Sequence, residues 1–540
     1  MTVRVSTSDG LDSPHLVTEP AALQKRRAAV ATSFSILFEG EADVALANDQ
    51  PGFFLDLNID QIVSGIVAGR DEYDLARFFN STLKRAEAIR YRYDVFRDCR
   101  RPEISGFLRA FADRMRFVRQ HLAQIDKLSE KLQKQAWLVD AIDLYCVGCE
   151  ELLGALCSSK PMSDGFKRLV EYLGEYTASS PFVTMKDGAA GLKRDLGALR
   201  YKVIVEAGSF TVQRYEGEID YSADVLETFQ RFKQTTAKDH HSGKFHEWPD
   251  MNHIEAKILE FVSLLFPETF ARLNTFCEAH TTFRDPAIER FDREVQFYAG
   301  YLEYIRPLTG KGEPFCYADV SNSEKSVRGD DGFDLALAVK LAKDEKNVVR
   351  NSFSLSRDER ILVVSGPNQG GKTTFARMFG QMHYLAAIGC PVPGTAAHLH
   401  LFDAMFTHFE REETIETLSG KLQDDLNRIH DILAAASTDS IVILNEIFTS
   451  TSLEDALFLS KQIISRILHL DMLAVWVTFV DELSLLGPAT VSMVSDIVKE
   501  DPTQRTFRIL RKPADGKSYA MSLALKHGLT YERIVERVGA

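Results

Sequence analysis

Apolar residues recur at helical spacing through the first third of the chain. Ile59, Ile62, Val63, Ile66 and Val67 form one stripe, in a helical pattern starting at about Leu57. Leu75, Phe78, Phe79 and Leu83 repeat the pattern, and Ile89, Tyr93 and Phe96 continue it. Pro102 suits a first helical position, and Ile104, Phe107, Leu108, Phe111 and Met115 follow on one face. Similar spacing runs to about Tyr176, so an all-helical region with short breaks at Gly and Pro is expected. The period changes near residue 200. Tyr201, Val203 and Val205 alternate with Lys202, Ile204 and Glu206, and Phe210, Val212 and Arg214 resume the alternation after Gly208. That pattern predicts a hairpin turning at Gly208. Helical spacing returns from Ile254 to Phe266 and from Ile288 to Ile305.

These changes divide the chain. Residues 1–30 read as a loose polar tail, 31–184 as a helical region and 185–250 as a small strand-bearing insert. Residues 251–308 are returning helices, 309–344 a glycine-rich, loop-rich junction, and 345–540 an α/β domain. The insert's tip carries Lys233, Lys238, His240, His241, Lys244 and His246, diluted by Asp239, Glu247 and Asp250. Its histidines follow no fixed metal-ligand spacing.

In the last region the apolar runs are short and continuous. Ile361–Val364, Ile441–Leu444 and Leu473–Val477 read as buried strands. The first leads into Gly366-Pro367-Asn368-Gln369-Gly370-Gly371-Lys372-Thr373, which fits G-x-x-x-x-G-K-[ST] at every fixed position. Thr374 to Leu385 then shows helical spacing, so the loop has the strand and helix it needs. Loop N–H groups and the helix N-terminus favour phosphate, Lys372 reaches the outer phosphates, and Thr373 offers its hydroxyl to Mg²⁺. ATP with Mg²⁺ is the expected ligand, held from Gly366 through Thr374.

Asn445-Glu446 closes the second strand. Phosphate-loop ATPases usually place an Asp there, near the magnesium, often followed by a Glu. Glu446 is the candidate base for the attacking water, with Lys372 as its catalytic partner at the phosphates. Asn445 can face the metal's hydration shell only with an uncharged amide oxygen. Leu418-Ser419-Gly420 opens a helical pattern through Leu422, Leu426, Ile429 and Leu433. Ser419 has two readings: a helix N-cap, or a serine offered to a γ-phosphate on a partner subunit.

At 540 residues the chain exceeds a single core, and roughly two to four domains are expected. A content of 45% apolar and 26% charged residues fits a globular protein in water. No apolar run reaches the length of a membrane span, and no charged-then-apolar leader opens the chain, so a cytoplasmic location is expected. A formal net charge of −13 excludes a uniformly basic surface and leaves only local basic clusters for nucleic acid. Arg85, Arg90, Arg92, Arg97 and their neighbours are interleaved with Glu87, Asp94 and Asp98, and read as solvated helix faces. Cys146 and Cys149 lack a second pair and read as two buried thiols.

The C-terminal domain resembles the ATPase domain of the MutS family of DNA mismatch-repair proteins, of the ABC ATPase class. The family's T-G-P-N-M-G-G-K-S-T stands here as Ser365-Gly366-Pro367-Asn368-Gln369-Gly370-Gly371-Lys372-Thr373-Thr374. Its A-x-x-G-x-x-V-P is matched by Ala386, Gly389, Val392 and Pro393. Its D-x-I-F-T-R is echoed by Asp403, Phe406 and Thr407, with His408 in place of Arg. Its closing G-x-S-x-G is approximated by Gly516, Ser518 and Ala520. Upstream, Tyr91-Arg92-Tyr93-Asp94-Val95 resembles an R-x-x-A-V element, and the order of helices, insert and helices is that of a lever domain carrying a DNA-gripping clamp.

The resemblance implies ATP hydrolysis coupled to clamping on DNA, and a homodimer sharing two ATP sites. It departs from the family at Asn445, where an Asp is usual, and at Thr478-Phe479, where the family's T-H supplies a histidine to sense the γ-phosphate. Both point to slow hydrolysis, or to an ATP-binding switch acting on a protein partner. About 55 residues precede the lever-like helices, too few for the family's mismatch-reading and connector domains, and no credible Phe-x-Glu reading module appears. DNA contact is therefore expected through the insert, to the backbone, without mismatch preference. No appended nuclease domain is expected.

Overall fold

The structure, a computed structural model, describes residues 34–40, 46–206, 209–217, 251–410, 420–498, 505–514 and 535. In chain order the helices begin with α1 (Ile59–Val67), α2 (Ala76–Asn80), α3 (Ala86–Cys99), α4 (Pro102–Ile125), α5 (Lys131–Ser159), α6 (Asp164–Thr177) and α7 (Ser180–Ala198). The hairpin of β1 (Tyr201–Glu206) and β2 (Ser209–Arg214) precedes α8 (His253–Leu265), α9 (Pro267–Ala279) and α10 (Pro286–Gly310). Two compact units emerge. One holds Gly106–Pro161 and Arg168–Asp292; the other holds Phe34–Ser105, Met162–Lys167 and Arg293–Ala540.

In the first unit α5, α7 and α9 share a core. Val139, Ile142 and Leu152 of α5 are buried, as are Phe182, Met185 and Leu192 of α7 and Leu273 of α9. Ser179 caps α7, its Oγ accepting from Phe182 N, and Pro181 sits in the first turn. Because α7 continues to Ala198, residues 185–198 of the expected insert are helix, and the strand-bearing part opens at Tyr201. There β1 and β2 pair antiparallel, Glu206 opposite Ser209; the expected turn at Gly208 lies outside the described residues. Asn252 opens α8 with a capping box: its Oδ1 accepts from Glu255 N at 2.9 Å while Glu255 Oε2 accepts from Asn252 N at 3.0 Å. Cys146 and Cys149 are buried free thiols on one helix, and burial pushes the Cys146 thiol up to about 12.

The second unit begins at Phe34. Residues 34–38, expected to be part of the helical region, are not helical, yet Phe34, Ile36, Leu37 and Phe38 are buried. Glu294, itself buried, accepts from Ser35 Oγ and from Ile36 N, both at 2.8 Å. Arg92 departs from the solvated pattern of its neighbours. It is 1% exposed and donates to Leu37 O at 3.0 Å and Ile388 O at 2.7 Å. Arg90–Glu87 and Arg97–Asp94 do form exposed pairs one helical turn apart.

The junction is more ordered than its glycines suggest. It contains β3 (Phe315–Cys316), β4 (Asp319–Ser321), β5 (Val327–Gly332) and α11 (Leu335–Lys343). The first two strands are too short to alternate visibly. There follow β6 (Asn351–Leu355), β7 (Ile361–Ser365), α12 (Lys372–Ala387), β8 (Val392–Pro393), β9 (Ala396–His400) and β10 (Met405–Phe409). The chain then runs through α13 (Lys421–Ala435), β11 (Ile441–Asn445), α14 (Leu453–His469), β12 (Leu473–Val477), β13 (Thr490–Ile497) and β14 (Arg505–Arg511).

A four-stranded sheet has the order β4-β9-β5-β6, and a six-stranded sheet the order β10-β11-β12-β7-β13-β14. In the latter, β10 through β13 run parallel and β14 antiparallel. Its central strands are buried on both faces, which is why they read as unbroken apolar runs. On one face Val363, Val442, Leu444 and Trp476 meet Ile429 and Ile432 of α13 and Ile463, Ile464 and Ile467 of α14. The helix α12 is buried almost all round, as expected of a helix inside an α/β domain. No helix among the described residues is long and apolar enough to cross a membrane.

Candidate functional site

The loop between β7 and α12 leaves the sheet at the C-terminal ends of its parallel strands, where α/β folds place ligands. Gly371 has φ 92°, a left-handed conformation that favours glycine. Gly370 is required for a different reason: a Cβ there would lie 2.2 Å from Ser495 Oγ. Ser495, on neighbouring β13, donates to Gly370 O at 2.8 Å and pins the loop from below. Pro367 O accepts from Gly370 N at 3.2 Å, and Gln369 between them has φ 59°. Thr374 follows in the first turn of α12.

Lys372 is 4% exposed, and its ammonium folds back over the loop. It donates to Gly366 O at 3.1 Å, Pro367 O at 3.4 Å and Asn368 Oδ1 at 3.2 Å, and lies 3.3 Å from Glu446 Oε1. Thr373 Oγ1 donates to Asn445 Oδ1 at 2.9 Å. The sheet register explains the meeting, because Asn445 pairs with Val477 and Val477 with Val364. Glu446 N donates to Val477 O at 2.9 Å, and Glu446 itself has φ 53°. Lys372, Thr373, Asn445 and Glu446, about seventy residues apart in sequence, thus form one cluster.

The oxygens of this cluster fit a small hard cation in part. A hydroxyl, an amide oxygen and one carboxylate lie together, yet no group of three His, Cys, Asp or Glu residues able to hold a metal exists among the described residues. Such a set suits Mg²⁺ only with phosphate and water completing its shell.

Phe479, just past β12, is 49% exposed and brings no polar group. Ser419 lies outside the described residues, and the cap position of α13 itself falls to Gly420. The sequence reading missed a second polar link beside the site. His408 Nε2 lies 2.8 Å from Asp425 Oδ1, and Asp425 Oδ2 accepts from Phe448 N at 3.3 Å. The departure from Arg at His408 was its one visible signal.

The basic residues of the insert are partly engaged. Lys193 pairs with Asp143 and Asp140, Arg200 donates to Gly197 O, and Arg214 donates to Leu265 O. Arg194 is exposed on α7, and Lys233, Lys238 and Lys244 lie outside the described residues.

Strand, glycine-rich loop and buried lysine at the mouth of a parallel sheet define a phosphate-loop nucleotide-binding domain. Residues 362–538 match the family model for MutS domain V. Similar curated proteins include Endonuclease MutS2 of Thermomicrobium roseum, 30% identical over 34% of this chain and 24% of its own length. DNA mismatch repair protein MutS of Fervidobacterium nodosum is 31% identical over 35% of this chain and 23% of its own. Endonuclease MutS2 of Gemmatimonas aurantiaca is 29% identical over 35% and 23%. The chain is a MutS-related protein carrying that domain, and it spans about a quarter of the length of these relatives.

Proposed function

We propose that this chain binds Mg-ATP, hydrolyses it slowly to ADP and phosphate, and clamps DNA as a homodimer. The observation that carries the reading is the convergence of Lys372, Thr373, Asn445 and Glu446 at one strand edge. Lys372 and the loop amides from Gly366 to Thr374 hold the phosphates, Thr373 reaches the metal, and Asn445 braces Thr373. Glu446 is positioned to take the proton of an attacking water. Bound Mg²⁺ would supply neutralisation of phosphate charge. The 3.3 Å contact of Lys372 with Glu446 makes the carboxylate a competitor of phosphate for the same ammonium. In the dimer, Ser419 of each subunit faces the phosphate held by the other.

DNA enters this reading through the relatives, whose names place them in DNA mismatch repair or call them endonucleases. Contact runs through the region of residues 185–250 to the phosphate backbone, with little sequence specificity and no mismatch preference. The helical regions act as levers, the insert as a clamp, and the location is cytoplasmic.

A second reading has its own observations. Asn445 supplies no charge to a metal, and Phe479 no polar group to phosphate, which favours an ATP-binding switch acting on a protein partner. Magnesium-dependent ATP turnover, measured with and without duplex DNA in the parent and in Lys372→Ala, separates the two. Turnover lost in Lys372→Ala supports hydrolysis. Tight binding without turnover selects the switch, and absence of nucleotide binding removes both.

A further inference from the structure

Glu446 sits on backbone that needs outside support. Both Glu446 and Phe448 are non-glycine residues with positive φ, 53° and 62°, so two of three consecutive residues occupy the left-handed region. Such conformations persist where surrounding structure over-determines them. On one side Glu446 N is fixed by Val477 O of β12. On the other side stands Asp425 of α13, whose Oδ2 accepts from Phe448 N at 3.3 Å.

Asp425 is itself held. It is 7% exposed, and its second oxygen lies 2.8 Å from His408 Nε2 at the end of β10. His408 is 2% exposed, and its Nδ1 has no hydrogen-bond partner among the described residues. A buried imidazole with one partner orients by that partner. The helix beneath does not depend on the pair, because Ile429 and Ile432 anchor α13 in the same apolar cluster as Ile447 and Phe448.

We propose that Asp425, oriented by His408, is a positioning residue for Glu446: it fixes the left-handed turn after β11 and so sets where the carboxylate points. The inference rests on the reading of Glu446 as the base. Asp425 touches neither Lys372 nor Thr373 in the described contacts, so it acts on turnover and not on the hold on nucleotide. A small misplacement of a reacting group is enough to slow chemistry strongly.

The test uses the full-length chain and two readouts. The first compares ATP turnover with ATP affinity in the parent and in Asp425→Ala, His408→Leu and His408→Gln, with Asp431→Asn, an exposed change on the same helix, as control. We expect Asp425→Ala and His408→Leu to lower kcat about tenfold or more, with ATP affinity held within about twofold. His408→Gln, whose amide N–H can stand where Nε2 donates, restores turnover relative to His408→Leu. The second readout is amide exchange at residues 446–450, which should quicken in Asp425→Ala and His408→Leu but not in Asp431→Asn. Exchange unchanged in Asp425→Ala overturns the proposal whatever the enzyme does. Faster exchange with unchanged kcat overturns it too, as does a loss of affinity matching the loss of kcat. A parent that binds ATP without turning it over removes the hydrolytic reading instead, and exchange then still decides whether Asp425 holds the turn.

Discussion

Replacing Asn445 with Asp puts a carboxylate where the structure has an amide oxygen, 2.9 Å from Thr373 Oγ1 and 7% exposed. The side chains have nearly the same shape, and the acceptor for Thr373 survives, so the perturbation is almost purely one of charge. Two unit charges about 4 Å apart interact by roughly 4 kcal/mol at an effective dielectric of about 20, and a divalent cation doubles that gross figure. Burial of the carboxylate consumes much of the gain, since an ionised group without a paired charge is costly at this depth. A net of about 1–3 kcal/mol in favour of the metal complex remains, which lowers the Mg²⁺ half-saturation about 5- to 150-fold. The same substitution has the opposite sign without metal, where the buried carboxylate keeps the Thr373 hydroxyl as its hydrogen-bond donor and gains no divalent charge. Steady-state ATP turnover across a Mg²⁺ titration, at fixed ATP and ionic strength, reads the first effect. Thermal denaturation in chelator and then in Mg-ATP reads the second: Asn445→Asp should melt below the parent in chelator and regain or exceed it in Mg-ATP. A Mg²⁺ requirement unchanged within about twofold, in a variant that melts like the parent under both conditions, refutes the placement of Asn445 beside the metal.

Other outcomes follow from the same geometry. Lys372→Ala removes the ammonium folded over the phosphate loop and should abolish measurable nucleotide binding; affinity equal to the parent's ends the nucleotide reading. Sedimentation at micromolar concentration should show a dimer, and a monomer both with and without ATP counts against shared sites. DNA affinity should fall by about 0.9 log unit per log unit of salt for each phosphate contacted. A mismatched duplex should bind within about tenfold of its matched control, about 1.4 kcal/mol. Arg200→Ala with Lys202→Ala, and Lys238→Glu with Lys244→Glu outside the described residues, should together weaken it; unchanged binding moves the contact elsewhere. Burial holds the His383 ring well below the usual histidine range, at about 3, against Phe353 and Phe379. The unfolded chain takes up that proton below about pH 6.5 and the folded chain does not, so stability falls with pH there by up to about 1.4 kcal/mol per unit. His383→Phe should flatten the melting profile between about pH 6.5 and 4, and identical slopes in both proteins refute a neutral buried ring.

What could be read along the chain is what neighbours along the chain determine. The phosphate loop is legible because its chemistry is local: glycines for a left-handed residue and for the approach of Ser495, then a lysine and a threonine on the first helical turn. The strands β7, β11 and β12 are legible because burial on both faces leaves no polar position in β12 and none in β7 and β11 before their last residue. Their neighbour β13 is hidden because Ser492, Ser495 and Asp496 break its apolar run, Ser495 to hold Gly370. Arg92 was hidden among exposed arginines because its acceptors, Leu37 O and Ile388 O, lie 55 and 296 residues away. Asp425 belongs to the same class. Beside Asp424, on a helix with an ordinary apolar stripe, it looks like one more solvated carboxylate. Only the register that sets β10 against β11, with α13 packed over them, brings His408 and Phe448 to its two oxygens. The residues of the glycine-rich loop announce themselves because backbone geometry restricts what can stand there. The residues that brace the turn after β11 do not, because any buried donor and acceptor at the right depth would serve, and depth is a property of the folded sheet.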